Sequence, residues 1–382
     1  MKLGGITWWR NNYGSILQAY ALQKYMREEL AQDYIIINQY SKKMISVENL
    51  MDKLKSIGIK NTAKRLIGRF GLPKLRKRVE VLQEFVDRHL IVSCEVYDED
   101  VMHKANEDYD GFLCGSDQIW NPSNTSMDSM YWLKFATTDK IKIAYAPSIG
   151  ISEASSEQKE KIRDNLRTFD AISSREESGT RLINLIMKSN RCKTVLDPTL
   201  IVEKSLWDEL SKTNPFGNGY IFSYMLKGTK QERKLIEAFA KRRNLRIVTI
   251  PFLDADDIVP YDFRYGDEKL WESGPDDFIC AIRYADYVFT DSFHCIIFSC
   301  IYHKTFYSFP KKGRMQMSRI EGIQQLLGTG SRIITSNLSV EDIVAFPPIK
   351  WDDVDTNIYM YREKSRGFLS DAIRKGEKKL HK

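Results

Sequence analysis

With 382 residues, of which 42% are hydrophobic and 29% charged, the chain is long enough for two folded domains and too apolar to be disordered. Its six cysteines (Cys94, Cys114, Cys192, Cys280, Cys295 and Cys300) form no CxxC pair, and its five histidines show no HxxxH or HExxH spacing. Zinc-ribbon, thioredoxin-type and His-built metal chemistry therefore lack support, and no cofactor is expected. The formal net charge of +7 is local: ten basic residues lie between Lys53 and Val79 with no Asp or Glu among them, which leaves the rest of the chain slightly acidic.

The opening residues turn polar by Arg10, before the apolar core of a signal peptide can form. No apolar run approaches the ~20 residues of a membrane helix, so a cytoplasmic chain is expected. From there the pattern alternates strand and helix, the signature of a parallel α/β sheet. Lys2–Thr7 reads as a strand, Gly14–Glu29 as the helix after it, and Tyr34–Asn38 as a second strand. Residues 41–108 read as a mostly helical insertion carrying the basic run. Asp110–Cys114 and Lys142–Ala146 are strands, Ser156–Thr168 a helix, and Ala171–Ser173 and Thr194–Leu196 short strands around a helix at Glu177–Met187. Pro and Gly interrupt the stretch from Asp197 to Gly217, and the alternation restarts after it.

In the second half, Tyr220–Leu226, Arg246–Ile250, Asp286–Thr290 and Thr305–Phe309 read as strands. Helices are expected at Lys230–Arg243, Pro275–Tyr284, from Phe293 through Ile301, at Gln316–Leu327 and at Tyr359–Lys379. The expected organisation is a Rossmann-like unit over 1–214, a second over 215–350 and a helical tail over 351–382, with a cleft between the units. In such sheets ligands bind outside the carboxyl ends of the strands.

Four strand ends carry candidate chemistry. At Thr290-Asp291-Ser292-Phe293-His294 a strand runs into a helix. Asp291 or Ser292 can cap that helix, and its first N–H groups favour an anion. A phosphate there favours a protonated His294, the state a general acid needs, while a histidine held in a capping network is the plain alternative. At Gly115-Ser116-Asp117-Gln118-Ile119-Trp120-Asn121 a small-residue turn leads to a carboxylate, two amides and an indole, groups that grip and stack on sugars; a turn with a capping Asp explains the same residues. Asn11-Asn12-Tyr13 open the first helix without GxGxxG spacing. Arg175 ends another strand, and Lys311, Lys312, Arg314 and Arg319 form a basic cluster suited to phosphate or carboxylate, or simply a solvated face. Asp254-Ala255-Asp256-Asp257 is checked as a DxD metal motif and reads better as an acidic loop.

These pieces resemble the polysaccharide pyruvyl transferase family. The matching segments are Asn11–Gln23, Gly115–Pro122, Tyr145–Gly150, Ser173–Gly179, Leu196–Leu200 and Ala285–Phe306, in the family's order. The resemblance implies a glycosyltransferase-B-like fold and transfer of the carboxyvinyl group of phosphoenolpyruvate onto a sugar diol as a pyruvate ketal, with release of phosphate, in cell-surface polysaccharide synthesis. Carried over residue by residue, His294 matches the family's general acid and Asp117 its acidic residue facing the acceptor. Arg175 matches the arginine that meets the donor, with Ser292, Lys311, Lys312, Arg314 and Arg319 as further donor contacts. Asn11, Asn12, Tyr13, Gln118, Trp120 and Asn121 are then acceptor contacts. Some family members have an arginine where this chain has Ser292, so another cation must neutralise the donor carboxylate.

Other function classes share the pattern. A nucleotide-sugar glycosyltransferase would use the same fold, and a non-catalytic saccharide-binding protein would use the same strand ends. The basic run lacks a nucleic-acid motif. The apolar residues interleaved over Lys53–Phe85 (Leu54, Ile57, Ile59, Leu66, Ile67, Phe70, Leu72, Leu75, Val79 and Leu82) match an interfacial helix on an anionic membrane, where a lipid-linked acceptor would reside, and equally a solvated basic face on a helical insertion.

Overall fold

The computed structural model describes residues 1–40, 62–127, 129–252, 260–310 and 314–380. Two compact units result, one from the described residues of 1–43, 86–203 and 355–382, the other from those of 44–85 and 204–354. The division falls at Glu203/Lys204, earlier than the expected 214/215. The expected acidic loop at 254–257 and much of the basic insertion lie outside the described residues.

The first unit is a seven-stranded, wholly parallel sheet. Its strands are β1 (Lys2–Ile6), β2 (Asp33–Gln39), β3 (Val92–Tyr97), β4 (Gly111–Cys114), β5 (Ile141–Ala144), β6 (Ala171–Ser174) and β7 (Cys192–Thr194). They lie in the order β3-β2-β1-β4-β5-β6-β7. The chain winds outward from β1 to one edge, then returns to β4 and winds to the other. The sheet's switch point is thus the β1/β4 pair. The central strands are buried along their length, as an apolar run such as Gly111-Phe112-Leu113-Cys114 requires in a sheet covered on both faces. Strand β3 falls where a helical insertion was expected. It is an edge strand whose Cys94, Glu95 and Val96 are exposed, so it lacks the apolar run that marks its neighbours.

Helix α1 (Tyr13–Lys24) follows β1 and runs on through a π-helical turn at Tyr25–Glu29. Asn12 caps it, its Oδ1 accepting the Ser15 N–H at 3.2 Å. Helix α2 (Thr62–His89) carries the end of the basic run. Arg78, expected on a solvated or membrane-facing surface, is buried instead. Its guanidinium donates to the carbonyls of Pro251 (2.6 Å), Trp271 (2.9 Å) and Leu270 (3.1 Å). Lys74 stands over the Trp271 ring at 4.6 Å, while Lys77 is exposed beside Glu80. Helices α3 (Ser156–Leu166) and α4 (Glu177–Met187) complete the unit's own wrapping.

The second unit is a five-stranded parallel sheet in the order β10-β9-β8-β11-β12. It comprises β8 (Tyr220–Tyr224), β9 (Arg246–Thr249), β10 (Glu268–Lys269), β11 (Tyr287–Thr290) and β12 (Thr305–Ser308), with its switch point at β8/β11. Helices α5 (Lys230–Arg243), α6 (Pro275–Arg283), α7 (Phe293–Ile301) and α8 (Arg314–Leu327) alternate with the strands. Thr229 and Glu232 form a reciprocal capping box at the start of α5. Phe239, Phe289 and Tyr307 fill the core with ring contacts at 5.1–6.0 Å.

The final helix, α9 (Trp351–Leu380), begins eight residues before the expected start, and from Asp355 it belongs to the first unit rather than forming a separate tail. Arg362 and Arg366 donate to the carbonyls of Leu200 and Ile201 and both pair with Glu203. Ser365 Oγ accepts the Leu196 N–H at 2.9 Å, and Lys379 pairs with Asp170 at 3.2 Å. Among the described residues no helix is long and apolar enough to cross a membrane.

Candidate active sites at the two switch points

In the first unit, the carboxyl ends of β1 and β4 bring together residues more than a hundred positions apart. After β4 the chain turns at Gly115, whose φ of 114° and contact with the Tyr145 carbonyl leave no room for a Cβ. Ser116 follows, its N–H held by Gln18 Oε1 at 3.0 Å and its Oγ donating to the Ala146 carbonyl at 2.8 Å. Gln18, from α1, also donates to Thr7 Oγ1 and the Trp8 carbonyl, tying the ends of β1 and β4 together. Asp117 then adopts a left-handed φ of 69°. Its Oδ1 accepts the Gln118 N–H at 2.8 Å, its Oδ2 accepts the Ser15 hydroxyl, and its own carbonyl accepts the Ser148 N–H at 2.8 Å.

Arg175, at the end of β6, lies against this turn with only 1% of its side chain exposed. Its three nitrogens face three different carboxylates: Nε meets Glu176 at 3.1 Å, Nη1 meets Asp197 at 2.9 Å, and Nη2 meets Asp117 at 3.7 Å. Burial alone would lower its pKa, but Glu176, Asp197 and Asp117 outweigh it and hold the guanidinium above its ordinary value. The guanidinium, expected to meet a donor, is engaged by three carboxylates within the fold. Asp197 is fixed from its other side, where Oδ1 accepts the Thr199 N–H and hydroxyl. Removing the one cation from such a buried set typically costs about 3–5 kcal/mol, because the carboxylates are left uncompensated.

The predicted acceptor residues divide. Asn11 and Asn12 are exposed at the start of α1, Asn11 with a left-handed φ of 57°. Tyr13 is buried under them. Gln118 is half-buried, its Oε1 accepting from the side-chain amides of Asn121 (3.1 Å) and Asn124 (3.2 Å). Asn121 is itself buried and accepts the Ser123 N–H, which makes it part of the turn's scaffold. Trp120 is a correction. It is fully buried, stacked on Trp132 at 4.6 Å with the rings 2° from parallel, and its Nε1 donates to the Tyr131 carbonyl. An indole whose faces are covered by the core has none left for a sugar.

Sequence reasoning passed over Trp8, a half-buried indole at the carboxyl end of β1, edge-on to Tyr131 at 6.3 Å. Its signal was its place immediately after the first strand. Arg10 lies beside it, donating to the Gln39 carbonyl at 2.7 Å and stacked 3.5 Å over the Trp9 ring, with its pKa lowered to about 10 by burial. Among the described residues no group of three His, Cys, Asp or Glu side chains is placed to hold a metal ion.

In the second unit the switch point is built differently. Asp291, one residue past β11, does not cap α7. Its two carboxylate oxygens accept the N–H groups of Leu226 (2.6 Å) and Lys227 (2.8 Å), clasping the loop after β8. Ser292 stands at the N-cap of α7 but makes no side-chain capping bond; its N–H is held by Thr290 Oγ1 at 3.0 Å. His294 therefore lies in the first turn of a helix whose leading N–H groups receive no cap from Ser292, and it is buried. The loop after β8 is braced from its far side by Arg233, which donates to the Gly228 and Thr229 carbonyls and pairs with Asp262 at 2.5 Å. Arg319 is buried on α8. Lys311, Lys312 and the side chain of Arg314 lie outside the described residues.

Two doubly wound parallel units, each with its polar cluster at the switch point, define an α/β protein of the glycosyltransferase-B-like class. The model of the polysaccharide pyruvyl transferase family matches residues 12–310, and the chain belongs to that family. No curated protein matches the sequence significantly. Solved structures with the same fold include a protein described as a UDP-N-acetylglucosamine 2-epimerase from Listeria monocytogenes, 10% identical with a TM-score of 0.53, covering 97% of this chain and 90% of that one. The wall teichoic acid polymerase TagF is 10% identical with a TM-score of 0.51, covering 100% and 90%. The UDP-GlcNAc 2-epimerase of Methanocaldococcus jannaschii, solved with UDP-GlcNAc and UDP, is 13% identical with a TM-score of 0.50, covering 94% and 100%.

Proposed function

We propose that this polysaccharide pyruvyl transferase takes phosphoenolpyruvate as donor and forms a pyruvate ketal on a sugar diol, releasing phosphate. The observation that supports this most is His294 in the opening turn of α7, where the cap position is left unfilled by Ser292, inside the segment matched by the family model. A helix start of this kind attracts phosphate. His294 gives its proton to the methylene carbon of the donor, which becomes a methyl group, and the adjacent carbon becomes electrophilic. One sugar hydroxyl attacks that carbon and loses its proton to Asp117. Phosphate departs, and a second hydroxyl closes the ketal, its proton leaving with the phosphate.

The donor's charge is met in this scheme by the first N–H groups of α7, the Ser292 hydroxyl, Arg319 and the Lys311, Lys312 and Arg314 cluster. Asn11, Asn12 and Gln118 bind the acceptor, with Trp8 in the stacking role that Trp120 cannot fill. The acceptor is a cell-surface saccharide, and the basic run ahead of Lys74 docks the protein on an anionic membrane when that saccharide is lipid-linked.

Incubation with phosphoenolpyruvate and candidate glycans, followed by mass spectrometry, tests the reading. A pyruvate-sized mass gain with stoichiometric phosphate release is expected. Phosphoenolpyruvate is also expected to raise the melting temperature. Stabilisation by a nucleoside diphosphate and none by phosphoenolpyruvate would replace the donor with a nucleotide sugar.

A further inference from the structure

The guanidinium of Arg175 has each of its nitrogens set against a different carboxylate, from three different loops: Asp117 after β4, Glu176 after β6 and Asp197 after β7. A donor anion would have to displace one of these carboxylates to reach it. Asp117, by contrast, is oriented by every group around it: the Ser15 hydroxyl, the Gln118 N–H, and its own carbonyl bonded to Ser148. Ser116 Oγ further links the same turn to Asp197 at 3.3 Å. We infer that Arg175 is a positioning residue, the shared counter-ion that aims Asp117 at the acceptor hydroxyl, and that it does not touch the donor. The inference rests on the proposed role of Asp117 as base. It draws on the geometry of a planar fork that hydrogen-bonds Glu176 and Asp197 and holds its third nitrogen 3.7 Å from Asp117, an arrangement set by the rigid guanidinium plane.

Among the described residues, the Tyr131 and Tyr145 hydroxyls also face this cluster, near Asp117 and Asp197 respectively. Burial pushes Tyr131 up to about 12 and Tyr145 well above its ordinary value, so neither changes charge in the working range.

The decisive experiment compares Arg175→Lys and Asp197→Asn with the wild type in full donor and pH kinetics. For Arg175→Lys the expected result is a kcat lowered by roughly 10-fold or more, a KM for phosphoenolpyruvate within about twofold of wild type, and an undiminished melting-temperature shift on adding phosphoenolpyruvate. Asp197→Asn removes a neighbouring negative charge, which makes Asp117 easier to deprotonate and moves the acidic limb to lower pH. Arg175→Gln removes the cation and moves it to higher pH. Should Arg175→Gln not fold, the lysine variant and Asp197→Asn still decide the matter. A KM for phosphoenolpyruvate raised 10-fold or more with kcat kept in Arg175→Lys, or loss of the phosphoenolpyruvate shift, would restore Arg175 to the donor site. If the wild type shows no turnover with phosphoenolpyruvate, the proposed reaction falls. The positioning role is then read separately from the ¹³C carboxyl titration of Asp117, assigned by its disappearance in Asp117→Asn. Opposite displacements in Asp197→Asn and the Arg175 variants support the role, and an unmoved titration overturns it.

Discussion

The switch points of the two sheets share a topology and differ in what occupies it. In the first unit the carboxylate of Asp117, at β1/β4, shares the buried guanidinium of Arg175 with Glu176 after β6 and Asp197 after β7. At β8/β11 the carboxylate of Asp291 is spent on two backbone N–H groups of the neighbouring loop, and the start of α7 receives no side-chain cap from Ser292. The two strand-end turns thus carry a buried ion cluster in one unit and, in the other, a helix start that Ser292 leaves uncapped. What separates them is where each aspartate's hydrogen bonds go, a matter of one or two residues in each loop.

The sharpest way to break this contrast is at His294. His294→Ala is expected to lower turnover by roughly 10²–10⁴-fold while the melting temperature stays near wild type. Wild-type turnover in the folded variant would remove the acid from the second switch point. Next in size is Asp117→Asn, which keeps the shape but cannot accept a hydroxyl proton. Turnover is expected to fall by about 10²-fold, with donor affinity unchanged in a thermal-shift titration. A variant that loses donor affinity and keeps acceptor kinetics would reverse the division between the two units.

A third test separates core from site within the first unit. Trp120→Ala removes an indole stacked on Trp132 and is expected to cost about 3–5 kcal/mol of stability by urea unfolding. Trp8→Ala exposes little new core, and its expected effect is a raised KM for the acceptor. If Trp120→Ala were as stable as wild type, its burial would not describe the protein in solution.

How the sequence misplaces Trp120 shows where reading from residues stops. The alternating apolar runs were enough to place β1, β2, β4 and β5 and the helices α4 and α5, because period and caps are local. Strand β3 was not legible, since an edge strand with Ser93, Cys94 and Glu95 carries neither an apolar run nor strict alternation. The carboxyl-end turns were legible as strand ends, since small residues followed by Asp117 or His294 mark a strand handing over to a loop or helix. Which side chains in those turns face outward was not, because it depends on partners distant in the chain. Trp132 covers Trp120, and Asp197 and Glu176 enclose Arg175. Arg78 shows the same limit: this cation of the basic run is folded onto three carbonyls, and nothing local distinguishes it from the cations beside it.

The smallest expected effect addresses the caps themselves. Asn12 and Ser292 occupy equivalent positions, each at the N-cap of the helix that follows a switch-point strand. Asn12 accepts the Ser15 N–H, so Asn12→Ala is expected to cost about 1 kcal/mol, the usual loss for a capping side chain. Ser292 makes no such bond, so Ser292→Ala is expected to change stability by no more than about 0.5 kcal/mol, as a substitution outside any capping network does. In donor binding the order should invert. In the proposed reaction the Ser292 hydroxyl meets the donor anion, so its truncation removes a charge-assisted hydrogen bond and the KM for phosphoenolpyruvate should rise about 10-fold. Asn12→Ala should leave it unchanged. Urea unfolding and donor kinetics on the two variants measure both halves. A Ser292→Ala protein that loses stability like Asn12→Ala while keeping its donor KM would mean that Ser292 caps α7, and that the second switch point is built like the first.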